Sequence, residues 1–189
     1  MQPAETLYSK ESYFDPEFRS VAVKIVAGEC YATAEPVAIT TLLGSCVSVC
    51  LHDPVARVGG MNHFMLPELL KGGTPSLCSG ACNSKLSSIS RSCARYGACA
   101  MRQLLQQLDE LGASRARLAA KVFGAGRVMA LATDIGANNA AFALDYLDKH
   151  GIPVVAMDLG ECCPRKVAFF PATGQAFVKL MRDLPAGRI

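Results

Sequence analysis

From Val21 onward the chain is cut into short apolar runs by glycines and one Asp-Pro pair, and this punctuation is what most constrains its fold. Short runs rich in Val, Ile, Thr and Leu between such breaks are strand signals. They predict strands over 21–26, 37–42, 46–51 and 56–65, with Asp53-Pro54 turning the chain between the last two. Two longer stretches instead repeat at helical spacing. Met101, Leu104, Leu105, Leu108 and Leu111 share one helix face, which Gly112 is placed to end. A second helix is expected to start near Asn138, carry Phe142, Leu144 and Leu147, and stop at Gly151. A buried strand at 117–123 runs into Phe123-Gly-Ala-Gly126. Strands near 153–157, 166–170 and 175–181 close the chain, the last two joined as a hairpin through Pro171-Ala-Thr-Gly174. With no internal repeat or linker, 21–183 reads as a single α+β domain between an N-terminal arm, 1–20, and a C-terminal tail, 184–189. Residues 71–94, dense in Gly, Ser and Cys, read as an exposed loop.

The composition narrows the class. Half of the residues are apolar and the formal net charge is only +3, with Lys and Arg scattered rather than clustered. That is a globular chain without the basic face of a nucleic-acid binder. The polar N-terminus has no secretory h-region, and the longest uncharged stretch, 36–51, is shorter than a membrane span. The expected location is the cytoplasm, with no membrane insertion. The nine cysteines are an odd number, and a reducing compartment disfavours a disulfide framework. Buried thiols, a metal site and a nucleophile remain as readings.

Cys46 is the candidate nucleophile. It follows Leu-Leu-Gly-Ser at a strand start, where Gly44 permits a tight turn and leaves room beside the thiol. Backbone N–H groups around Gly44 and Ser45 would form an oxyanion hole there. A thiol is largely protonated at neutral pH and needs a base or a cationic partner. Of three histidines, His150 ends a surface helix beside Lys149 and His52 begins the Asp-Pro turn, both expected to be solvated. His63 lies on the strand after that turn, so a hairpin would bring it beside the Cys46 strand. No acidic third member is apparent, but Thr40 and Thr41 lie just upstream of the glycine turn and offer hydroxyls to orient an imidazole.

Two rival chemistries are weaker. Cys78, Cys82, Cys93 and Cys99 have the number for a structural zinc site but not the paired Cys-x-x-Cys spacing. Phe123-Gly-Ala-Gly126 follows a strand yet lacks a phosphate-loop or dinucleotide fingerprint, and reads as a turn. No cofactor or metal is expected.

Taken in order, these segments resemble a known pattern. Leu43-Gly-Ser-Cys46, Asp53-Pro54 and Gly59-Gly-Met-Asn-His63-Phe-Met-Leu-Pro67 are similar to CheD, the chemoreceptor glutamine deamidase family of bacterial chemotaxis. The likeness continues through Arg95-Tyr-Gly97, Lys121-Val-Phe-Gly124, Ile135-Gly136 with Asn138 and Asn139, Asp158-Leu-Gly160, Pro164-Arg-Lys-Val167 and Pro171-Ala-Thr-Gly174. The resemblance implies a layered α/β/β fold of mixed sheets, Cys46 as nucleophile, His63 as base, and an upstream threonine as helper. Thr40 and Thr41 both qualify, Thr40 being preferred. The chain departs from the family where Ala125 and Glu161 replace the usual second glycine of each local motif, and in its Cys- and Ser-rich loop.

The implied activity is deamidation of receptor glutamines to glutamate, with glutamate methyl ester hydrolysis available through the same thioester. The implied partners are methyl-accepting chemoreceptors and a CheC-type phosphatase. The alternative is an adaptor that docks on those partners without turnover.

Overall fold

The computed structural model describes residues 12–67, 93–127 and 134–181. In chain order these form β1 (Ser12–Asp15), β2 (Ser20–Lys24), β3 (Glu29–Thr33), β4 (Ala38–Leu43), β5 (Val47–Asp53) and β6 (Val58–His63). Next come α1 (Gly97–Glu110), a 3₁₀ turn at Arg115–Arg117, β7 (Ala119–Gly124), α2 (Ile135–Lys149), β8 (Val154–Leu159), β9 (Arg165–Phe170) and β10 (Gln175–Leu180). The strands build two mixed five-stranded sheets, in the orders β1-β2-β4-β9-β10 and β3-β6-β5-β7-β8.

Because strand side chains alternate between faces, each strand divides its residues between layers. Ile39 and Leu43 of β4 and Val167 and Phe169 of β9 meet Cys50 of β5 and Met61 of β6 between the sheets. The opposite face of β5, with Val47, Val49 and Leu51, packs under Met101, Leu104, Leu105 and Leu108 of α1 and Leu147 of α2. The amphipathic stripe read from the sequence is thus the inner face of α1, except for Leu111, which is the C-cap residue and is exposed. The layers run helices, sheet, sheet, as the α/β/β resemblance implies.

β1 and β3 were not expected. Both are edge strands, and their residues (Ser-Tyr-Phe-Asp and Glu-Cys-Tyr-Ala-Thr) are only partly buried, so neither carries the apolar signature of an internal strand. Residues 12–15, assigned to the arm, pair antiparallel with β2. α2 begins at Ile135, three residues before the expected Asn138, because the Asp134 side chain caps it by accepting from the Ala137 N–H at 2.9 Å. Most of the loop expected over 71–94 lies outside the described residues.

Candidate active site

The two residues singled out as nucleophile and base lie on neighbouring strands. β5 and β6 pair antiparallel through Cys50↔Met61, and the ladder is extended by reciprocal bonds between Val47 and Phe64 at 3.1 and 3.0 Å. That register sets Ser48 across from His63 and Cys46 across from Met65, all on the face turned toward the first sheet. Cys46 and His63 are therefore diagonal neighbours, a spacing that an imidazole can bridge.

The second sheet supplies the candidate base and the first sheet supplies its hydrogen-bond partner. Thr41 lies on the inward face of β4 with Ile39 and Leu43, and its Oγ1 is 2.8 Å from His63 Nδ1 across the interlayer space. The same hydroxyl donates to the Ile25 carbonyl at 2.9 Å. A hydroxyl has one proton, so the Ile25 bond leaves Oγ1 to accept from Nδ1–H. This assigns the tautomer with its lone pair on Nε2, and Nε2 is buried with no hydrogen-bond partner among the described residues. Thr40 faces the other way: its Oγ1 is 3.1 Å from the Tyr13 hydroxyl on the outer side of the sheet. The preference for Thr40 is corrected here, because a one-residue step along β4 reverses the side chain's face.

Electrostatics keep the pair neutral at rest. Burial lowers the His63 pKa to about 4, against a smaller upward pull from Glu29, which pairs with it in the β3–β6 register. Burial also raises the Cys46 thiol above its ordinary value, opposed by the thiol's contact with its own backbone N–H. Cys46 is partly exposed, while His63, Thr41 and Ser48 are buried.

The turn that presents Cys46 is braced from two sides, by the run after β7 and by α2. Ala125 N donates to Cys46 O and Gly126 N to Gly44 O, each at 2.8 Å, so the carbonyls flanking the turn are held by the run after β7. A Cβ on Gly124 would stand 2.2 Å from Cys46 O, which explains why this position, at φ +114, is glycine. From α2, Asn139 Nδ2 reaches Ser45 O at 3.1 Å and Met65 O at 2.8 Å. Phe123 and Gly124 are the end of β7 and Ala125 and Gly126 continue as irregular backbone, not the turn expected of this run, and its bracing of the candidate nucleophile was not legible from sequence. Asn139 was noted only as part of a motif. Gly44 and Ser45 are half-buried, and their carbonyls are the groups engaged by this brace.

The remaining candidates resolve differently. His52 is half-buried, with Nδ1 2.8 Å from Pro171 O, so it ties β5 to the β9–β10 turn rather than standing in solvent. His150 is exposed and stacks on Tyr146. Cys93 and Cys99 form a disulfide, which removes two of the four proposed zinc ligands, and Cys78 and Cys82 lie outside the described residues. Among the described residues no cluster of His, Cys, Asp and Glu could hold a metal ion. No described helix is long and apolar enough to cross a membrane.

Comparison with known proteins places this architecture. The family model described as CheD chemotactic sensory transduction matches residues 82–180. The "Probable chemoreceptor glutamine deamidase CheD" of Methylobacillus flagellatus is 45% identical over 184 residues, covering 96% of this chain and 85% of the relative. "Probable chemoreceptor glutamine deamidase CheD 1" of Shewanella oneidensis is 45% identical over 174 residues, 91% of this chain and 78% of that protein. The corresponding Thiobacillus denitrificans protein is 46% identical over 174 residues, 91% and 80% of the two chains. The chain belongs to the CheD family.

Proposed function

We propose that this chain is a cysteine-dependent protein-glutamine deamidase acting on chemoreceptors in chemotaxis, with Cys46 as nucleophile, His63 as base and Thr41 orienting the base. The observation that carries the site assignment is the Thr41–His63 bond, which commits Nδ1 and leaves Nε2 as a buried acceptor with no partner among the described residues, on the face shared with Cys46. The relatives' names as chemoreceptor glutamine deamidases support the substrate class.

In this mechanism Nε2 takes the Cys46 proton as sulfur bonds to the side-chain carboxamide carbon of a glutamine. Burial disfavours a separated thiolate–imidazolium pair, so proton transfer accompanies C–S bond formation. The carboxamide oxygen becomes an oxyanion. The proton on Nε2 then passes to the nitrogen, the C–N bond breaks, ammonia leaves and a γ-glutamyl thioester remains. Water gives a proton to Nε2 while its oxygen adds to the thioester carbon. The C–S bond breaks, the proton returns to sulfur, and glutamate is released. A glutamate methyl ester would follow the same course with methanol leaving.

The test is incubation with receptor cytoplasmic fragments and mass spectrometry of their glutamines. Conversion to glutamate by the wild type, absent with Cys46→Ala, is expected; activity retained in Cys46→Ala would overturn the nucleophile. Binding to receptors without conversion would favour the adaptor reading. The proposal includes a cytoplasmic location and a CheC-type phosphatase as second partner. Co-purification checks the latter, and failure of the two purified proteins to associate would remove it.

A further inference from the structure

Asn139 lies early in α2 with its side chain fully buried, and both of its hydrogen-bond partners are backbone carbonyls, Ser45 O and Met65 O. A carbonyl only accepts, so both bonds come from Nδ2, and the orientation of the carboxamide follows without ambiguity. Oδ1 is buried with no partner among the described residues. A group that leaves one of its polar atoms unsatisfied in the interior is held there by what its other atom does.

What Nδ2 does is hold one peptide plane. Ser45 O belongs to the peptide unit whose N–H is that of Cys46. The described chain has no cis peptide bonds, so this C=O and N–H point in opposite directions. Fixing the carbonyl toward Asn139 therefore turns the Cys46 N–H away from α2. The bonds from Ala125 and Gly126 hold the carbonyls on either side, Cys46 O and Gly44 O, but neither touches the Ser45–Cys46 plane itself. A peptide plane can flip between fixed neighbours, and a donor on its carbonyl prevents that. The same bond polarises the peptide and strengthens its N–H as a donor. The second Nδ2 bond goes to Met65, the residue directly across from Cys46, so one carboxamide also sets the separation of the two strands that carry Cys46 and His63.

We propose that Asn139 is a positioning residue that locks the Ser45–Cys46 peptide so that the Cys46 N–H faces the oxygen that becomes negative when sulfur attacks. The inference rests on Cys46 being the nucleophile, as proposed above, and not on which glutamine is the substrate.

Two reactions of the same thiol separate this role from a merely structural one. Acylation of Cys46 by p-nitrophenyl acetate passes through an oxyanion; alkylation by iodoacetamide does not. Both are measured on the intact protein, with modification of Cys46 followed by peptide mapping. In Asn139→Ala, acylation should fall by roughly 10- to 100-fold, the upper end being the cost of losing an oxyanion donor outright, while alkylation stays within a few-fold. Asn139→Ser, which keeps one donor, should fall between, and it carries the test if the alanine variant does not fold. Parallel loss of both reactions with a lowered melting temperature, or acylation left unchanged, would overturn the proposal. Wild-type acylation without receptor deamidation would sink the functional reading and leave this inference standing. Deamidation by the wild type together with undiminished acylation in the variants would do the reverse.

Discussion

The two ends of β5 are built from the same kinds of parts and do opposite things. At its C-terminal end, Asp53 is fully buried, and its carboxylate accepts from the N–H groups of Val55, Ala56 and Ser114 at 2.8 to 3.1 Å. Arg117 adds a bidentate pair at 3.0 and 2.7 Å. These partners, Arg117 foremost, hold the carboxyl far below its usual range. At the N-terminal end, Cys46 is partly exposed and the neighbouring imidazole keeps one nitrogen buried and without a partner among the described residues. A buried polar group with every bond made stabilises the fold, whereas one with capacity left over has something still to bind. The Asp-Pro turn has its polar groups satisfied; beside the glycine turn, hydrogen-bonding capacity is left over.

The largest effect should come from breaking the reactive end alone. His63→Ala is expected to lower receptor deamidation by roughly 10²- to 10⁴-fold, the range for a lost general base. A rate near wild type in a deamidation assay would remove His63 from the mechanism.

Asp53→Ala should do the reverse. It strands three backbone N–H groups and the half-exposed Arg117, and we expect a loss of about 3 kcal/mol in chemical denaturation. Cys46 acylation per folded molecule should be retained, and a stability change under about 1 kcal/mol would contradict the contrast.

Acid should then separate the two ends. The unfolded chain protonates His63 near the ordinary imidazole value of 6.5 and the folded chain only at about 4, so the unfolded state binds the proton first. Stability from this source is intact above pH 6.5 and lost as pH falls toward 4, by up to about 3 kcal/mol. Asp53, whose folded pKa is depressed, adds its loss only below its unfolded value of 3.8. Denaturation curves from pH 8 to 3 should therefore fall in two windows, the upper one missing in His63→Gln. A single window would mean that His63 is not held neutral.

Thr41→Val should lower deamidation about tenfold through loss of the imidazole's orienting bond, whereas Thr40→Val should leave it close to wild type. Equal effects in the two variants would dissolve the distinction between the faces of β4.

The smallest effect concerns strain beside the reactive turn. Ala125 and Glu161 both have positive φ, at 56° and 62°, a conformation that costs a non-glycine residue about 1 kcal/mol. Glu161→Gly should raise the melting temperature by a few degrees at most, because added freedom in the unfolded chain offsets part of the relief. A lowered melting temperature would show that the Glu161 side chain has a role that the backbone does not reveal.

These two positions also show what was legible in the sequence. Each stands where the family's usual glycine is missing, and the left-handed backbone there is the reason a glycine is usual. The internal strands, the apolar stripe of α1 and the proximity of Cys46 to His63 all follow from short-range rules. Periodicity assigns faces, and an Asp-Pro turn makes the next strand a neighbour. The edge strands β1 and β3 were missed because half-exposed strands carry little apolar signal.

Residue types and order alone determined the nucleophile candidate, its base candidate and the α+β class of fold, while the layering was implied by the resemblance to CheD. Which threonine meets the imidazole was decided by packing between sheets, since Thr40 and Thr41 are adjacent in sequence and opposite in space. The same holds for Asn139, which is 93 residues from Cys46 in sequence yet bonds the carbonyl of the preceding residue, Ser45. Periodicity reports only which face of its own element a residue occupies. Which partner that face meets is set by long-range packing, which leaves no mark in the local sequence.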